Sequence, residues 1–245
     1  MSDFDRQGSQ YSSSGAWTPN SYSESRPLTV DEVSVAERVA FIRKVYALFF
    51  AATLFAIGGV FIGFAYRPLM MVMARYPLVM FFVMIGGIMV AQAVRHKPGV
   101  NLVALFGFTT LTGVVISPLL FIISRTNPAS ITQAGVLTVG IFGGLTAYVF
   151  LTRRDFSFLR GMLTVGLIVI VLGGLMNYLF VGSLGLGFAL AAGALLLFSG
   201  YVLYDTSNIM RRYPTNEYVA AALAIYLDAF NIFLAILRLL NSGRR

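Results

Sequence analysis

Two carboxylates stand where carboxylates are costly. Asp205 lies in "GYVLYDTSNIM" (residues 200–210) and Asp228 in "IYLDAFNIFLAILRLL" (residues 225–240), both inside long apolar runs. The other acids are cheaply placed. Asp3, Asp5, Glu24, Asp31, Glu32 and Glu37 precede the first apolar block, and Asp155 and Glu217 sit in or beside polar breaks. A charged side chain at the centre of a bilayer costs about 2.5–3.5 kcal/mol on insertion scales, so an intramembrane acid faces the protein interior or a water-filled path. Asp205, Asn208 and Arg212 recur at i, i+3 and i+7, on one helical face. Asp228 and Asn231 repeat the D-x-x-N spacing.

The two runs are joined by the short "RRYPTN" break, which makes them antiparallel neighbours with the aspartates at similar depth. Two carboxylates held together away from water cannot both ionise cheaply; they share a proton and titrate as a unit. Such a pair is a proton sensor. Deprotonated, it offers oxygens to a hard cation such as Ca²⁺, which takes roughly six to eight of them. Two carboxylates and two amides are too few for a resident metal, so Asp205 and Asp228 suit transient Ca²⁺ contact and gating. The plainer alternative is a fixed ion pair or helix cap, with Arg95, Arg211 or Arg212 as partner. The repeated D-x-x-N on adjacent helices weighs toward function.

Other chemistry finds little support. The chain has no cysteine and one histidine, His96, in a basic "RHKPG" turn. One histidine cannot build a zinc site alone, and a nucleophilic triad would have to use His96, which reads instead as a solvated loop residue. No G-x-x-x-x-G-K-[ST] stretch provides for ATP. An intramembrane aspartyl protease also uses two aspartates, and Tyr204-Asp205 supplies a YD. Asp228, however, follows Leu227 rather than Gly-x-Gly. The expectation is a non-enzyme without cofactor.

The surrounding elements must be membrane helices. Of 245 residues, 58% are hydrophobic and 11% charged, with mean hydropathy +0.80; soluble domains carry roughly 25% charged residues. The net charge of +8 falls between apolar blocks as loop charge, which argues against nucleic-acid binding. Residues 1–38 read as a disordered polar tail without a signal core, and "VDEVSVAERVAFIRKVY" as an amphipathic lead-in along the membrane surface. Apolar blocks follow at about 45–65, 77–94, 101–123, 131–151, 159–180, 185–208 and 217–240, each near the ~20 residues that a bilayer core requires. Pro and Gly mark most of the breaks. The reading is an all-α polytopic membrane protein with seven transmembrane helices in residues 39–245. Lys and Arg counts favour a cytoplasmic N-terminus by ten to six.

At this point the motifs fit a known pattern. "GYVLYDTSNIM" followed by "EYVAAALAIYLDAFNIFLAILRLL" resembles the C-terminal signature of the Bax inhibitor-1 (transmembrane Bax inhibitor motif) family. "FIRKVYALFF", "RHKPGVNLVALFGFT" and "TRRDFSFLRG" fit it too. The likeness, to the bacterial type, runs from about residue 39 to the end. It implies six helices packed around a central C-terminal seventh, in the bacterial inner (plasma) membrane. It implies a pH-sensitive calcium leak with Asp205 and Asp228 as a hydrogen-bonded sensor pair and Arg95 interacting with that pair. Arg238 matches an arginine that, in the family's bacterial form, pairs with a glutamate of the second helix. Here the second span, "PLVMFFVMIGGIMVAQAV", contains no acid, a departure from that latch.

Three functional readings follow. The first is a passive cation leak with protons and Ca²⁺ as its ligands, gated by Asp205, Asp228 and Arg95 and supported by Asn208, Asn231, Arg212 and Arg238. The second is an interaction protein that regulates a membrane protease or a stress or cell-death response through a membrane-protein partner. The third is a proton-coupled transporter, which the absence of a clear two-half repeat disfavours.

Overall fold

A computed structural model describes residues 27–242, and the rest of the expected tail, residues 1–26, lies outside them. Eight α-helices follow in order: α1 (Val35–Ala65), α2 (Arg67–Arg75), α3 (Pro77–Ala93), α4 (Val100–Thr126), α5 (Pro128–Thr152), α6 (Arg160–Met176), α7 (Leu184–Arg211) and α8 (Tyr218–Ser242). A 3₁₀ turn (Ser157–Leu159) leads into α6 and a π turn (Asn177–Val181) extends it. Six of the resulting helical segments are long and apolar enough to cross a membrane. The shorter α2 and α3, bent by 97° at their junction, give up to seven if the pair counts as one span.

Local chemistry sets the breaks. Pro77 and Pro128 begin α3 and α5, where a missing backbone N–H costs nothing. Gly99 enters α4 at φ 78°, a left-handed conformation that suits glycine. The Gly-rich break after residue 180 is firmer than its sequence suggests. Asn177 clasps Ser183 through both amide atoms (2.9 and 3.2 Å), and the Ser183 hydroxyl caps α7 by accepting from the Leu186 N–H. Within α4, Pro118 cannot donate to the Val114 carbonyl. The Ser117 hydroxyl donates to that carbonyl instead (2.7 Å), so the helix continues through its proline.

The lead-in differs from expectation. Residues 35–44 are not a separate surface helix but the first turns of α1, opened by a reciprocal capping box between Ser34 and Glu37. Of the expected 1–38 tail, residues 28–31 are also placed. Thr29 bridges to Pro214, the Val30 N–H donates to the Tyr213 carbonyl (3.1 Å), and the Thr215 N–H donates to the Leu28 carbonyl (3.1 Å). Val30 is fully buried. Periodicity alone could not reveal this strap, because its partner lies almost 200 residues away.

The strap and the starts of α1 and α8 share one face, here the near face, with the ends of α3, α5 and α7. There Arg211 donates to the Arg153 carbonyl, Arg212 pairs with Asp155, and Arg95 faces Glu217. At the far face Asn241, near the end of α8, bonds Asn127 and Ser130 at the α4–α5 turn. α8 is the most enclosed helix, with 61% of its apolar window buried. α1, α4, α5 and α7 pack against it, while α3 rests on α4 and α6 on α7.

Candidate functional site

α7 and α8 form a hairpin across the near-face turn, and Asp205 and Asp228 meet between them. Asp205 lies six residues before the end of α7, and Asp228 ten residues into α8. At 1.5 Å per residue these are depths of about 9 and 15 Å from the helix ends. Asp228 is 3% exposed. The two carboxyl groups lie close together, with the Asn208 amide beside Asp205. Ionised carboxylates only accept hydrogen bonds, so a bond between the two requires a proton on one. The second oxygen of Asp228, Oδ2, is buried without a partner. A buried polar atom left unpaired is costly, so this oxygen marks a place where a proton or cation gains most.

No cation neutralises the pair among the described residues. Arg95 does not reach it. Its guanidinium sits 3.8 Å from Glu217 and donates to His96 (3.0 Å), while His96 lies 3.6 Å from Glu217. The reason is position: Arg95 follows the end of α3 in the exposed turn, and Glu217, just before α8, is the nearer acid. Arg212 shares a helical face with Asp205 but turns to the α5–α6 loop, pairing with Asp155 (2.6 Å) and bonding Ser157 (2.8 Å). Asn231 donates to the Leu227 carbonyl of its own helix (2.7 Å) rather than to Asp228. Arg238 is on the far side of the molecule, exposed in a groove beside α3 and α6. Of the sequence-derived set, the structure therefore brings together Asp205, Asp228 and Asn208.

Several contributors escaped sequence reasoning. Tyr213 roofs the site from the near-face turn. Burial raises its phenol pKa above the ordinary value, and negative charge on Asp205 and Asp228 pushes the same way. Tyr201 of α7 also lies within electrostatic reach of both carboxyls. Two residues before Asp228, Tyr226 bonds Thr112 of α4. Beside Asp205, Thr206 belongs to a second polar group: its hydroxyl, that of Thr146 and the Tyr46 phenol face one another, all buried, none reaching full hydrogen-bond geometry. The only signal for these residues was the run of tyrosines around Asp205 and the isolated hydroxyls in apolar spans, which are common in tightly packed helices. Among the described residues no three His, Asp or Glu side chains cluster as metal ligands. The pair can share a proton or touch a passing cation, but it does not form a cage.

The comparisons point the same way as the motifs. A family model described as the inhibitor of apoptosis-promoting Bax1 matches residues 38–245. The chain is similar to Bax inhibitor 1 of Schizosaccharomyces pombe, 32% identical over 95% of this chain and 88% of that protein. It is 31% identical to protein lifeguard 4 of Mus musculus, over 87% and 89%. An uncharacterized membrane protein of Vibrio cholerae is 39% identical over 66% of this chain and 70% of its own length. With its apolar helices and a match across all but the N-terminal segment, the chain is an integral membrane protein of the Bax inhibitor-1 family.

Proposed function

We propose that this protein is a passive, pH-sensitive cation leak, with Ca²⁺ as the carried ion and the Asp205–Asp228 pair as its gate. The observation that carries the reading is two carboxyl groups close together inside the bundle, one oxygen unpaired, with no cation on either. The pair holds one proton and binds two helices. Losing that proton puts two like charges side by side in a medium where they repel strongly, so α7 and α8 have two arrangements that proton concentration selects between. Ca²⁺ is the carried species, meeting carboxylate oxygens in transit rather than residing there. α2–α3 is read as one broken crossing, giving seven spans with α8 innermost. The N-terminus is read as cytoplasmic, because the near face holds most of the Lys and Arg, and the bacterial inner membrane is the location that the resemblance to the family's bacterial type suggests.

The test is Ca²⁺ efflux from liposomes containing the pure full chain, measured across pH for the wild type, Asp205→Asn and Asp228→Asn. Each substitution is expected to abolish most of the pH response. Wild-type flux and pH response in both variants would exclude the pair as the gate.

The name of the fission-yeast relative, Bax inhibitor 1, favours a second reading, a regulator of cell death or stress acting through a membrane-protein partner. If deleting residues 1–38 abolished such a phenotype while flux stayed intact, this reading would replace the first.

A further inference from the structure

Arg238 poses a separate question. It sits on α8 four residues before the helix ends, in the far-face half of the molecule, and it is exposed. It opens into a groove of about 340 Å³ between the start of α3 and the end of α6, walled by Leu78, Phe81, Ile170 and Leu175, with Tyr178 on the π turn that follows α6. The volume lies within the range of small-molecule sites. Gly174 keeps the groove open, since a side chain added there would meet no atom within 4 Å. α6 buries none of its apolar window, so this wall faces the lipid.

A guanidinium at membrane depth calls for an anion, and the described protein has none to offer. Its acids lie at the near face (Asp31, Glu32, Glu37, Asp155, Glu217) or in the Asp205–Asp228 pair. The far face carries Arg67, Arg75, Arg125 and Arg238 instead. Arg75 and Arg125 lie over the rings of Tyr76 and Phe121, whereas Arg238 has neither an ion pair nor a ring among the described residues. A positive, apolar-walled slot open to the bilayer matches a molecule with a negative head and a hydrocarbon tail.

We infer that the groove is a binding site for an anionic glycerophospholipid, with the phosphodiester on Arg238 and one acyl chain between α3 and α6. The planar, five-donor guanidinium matches a phosphate in two-pronged fashion. A zwitterionic headgroup already carries its own ammonium partner and complements this all-cationic face less well. The lipid neutralises the arginine and seals the gap between α3 and α6. The inference is independent of any ion flux.

The test is native mass spectrometry of the full chain in detergent, titrated with dioleoyl phosphatidylglycerol, dioleoyl phosphatidylcholine or oleate. The wild type is expected to retain phosphatidylglycerol in preference to phosphatidylcholine. Arg238→Gln should weaken phosphatidylglycerol about tenfold, the loss of one charge-assisted contact, and leave phosphatidylcholine unchanged. Gly174→Leu, which fills the groove without touching the charge, should weaken both lipids. Equal retention of the two lipids by the wild type would overturn the site. So would an unaltered preference in Arg238→Gln with an unchanged melting temperature. Oleate displacing phosphatidylglycerol in an Arg238-dependent manner would overturn the phospholipid in favour of a single-chain acid.

Discussion

The hydroxyl of Thr112 donates to the Thr109 carbonyl (2.6 Å), so in its bond with Tyr226 it accepts the phenol proton. That direction makes the two deletions unequal. Tyr226→Phe leaves Thr112 satisfied and should cost about 1 kcal/mol, whereas Thr112→Val strands a buried phenol and should cost about 1–3 kcal/mol. Unfolding of both variants in mild detergent checks the order. At the surface, the Asp155 carboxyl is held below its ordinary value of 3.8, chiefly by the backbone N–H of Ser157 and with help from Arg212. A depressed carboxyl contributes stability above its unfolded pKa and loses it as pH falls through the folded one. Arg212→Ala should therefore lower stability at pH 7 by no more than about 0.5 kcal/mol, because both groups are largely exposed. The difference from wild type should vanish in buffer well below pH 3.8. Asp205 and Asp228 were legible in the sequence because an acid inside an apolar block has few cheap explanations. Asp155 and Glu217 were not, since a loop acid gives no hint of which basic residue will come to lie beside it. Glu217 captured Arg95, which sequence reasoning assigned to the buried pair.

Helix packing carries its own constraints. α1 and α4 approach so closely that a Cβ on Gly59 would fall on the Thr110 carbonyl, and one on Gly113 on the Ala56 carbonyl. Backbone cannot yield as a side-chain tip can, so Gly59→Ala or Gly113→Ala should destabilise by about 1–3 kcal/mol. Gly58→Ala, where nothing lies within 4 Å, should be neutral or gain up to about 1 kcal/mol of helix propensity. Melting temperatures of the three variants separate the cases. Ser117→Ala should strand the Val114 carbonyl beneath Pro118, with a loss of about 1–3 kcal/mol. The apolar runs and their Pro and Gly breaks revealed most helix positions. The identity of the α1–α4 contact was hidden, because small residues occur on many faces of these helices and sequence does not say which face meets which. The α2–α3 bend was hidden for another reason: one residue, Tyr76, separates two segments that composition reads as a break followed by a span.

Over the molecule as a whole, the near face is tied by ion pairs and by the strap at residues 28–31, and the far face is cationic and opens at the Arg238 groove. The strap bonds directly to Tyr213, above the carboxyl pair, which places residues 28–31 over one end of the site. The chain lacks cysteine, so single-cysteine variants report topology cleanly. If α3 crosses the bilayer, Arg75→Cys and Asn127→Cys should label from one side and Lys97→Cys and Asp155→Cys from the other. Labelling of Arg75→Cys and Lys97→Cys from the same side would remove the crossing. Such global features were only half visible beforehand, since charge counts favour one orientation while long-range strap contacts leave no local pattern. The most direct measurement of the gate is the pH dependence of Ca²⁺ efflux in Asp205→Asn, Asp228→Asn and the double variant. If the two carboxyls act as one proton-sharing unit, the double variant should be no flatter with pH than either single one, the effects being non-additive. A pH response that survives in both single variants, or one lost in additive halves, would contradict a shared gate.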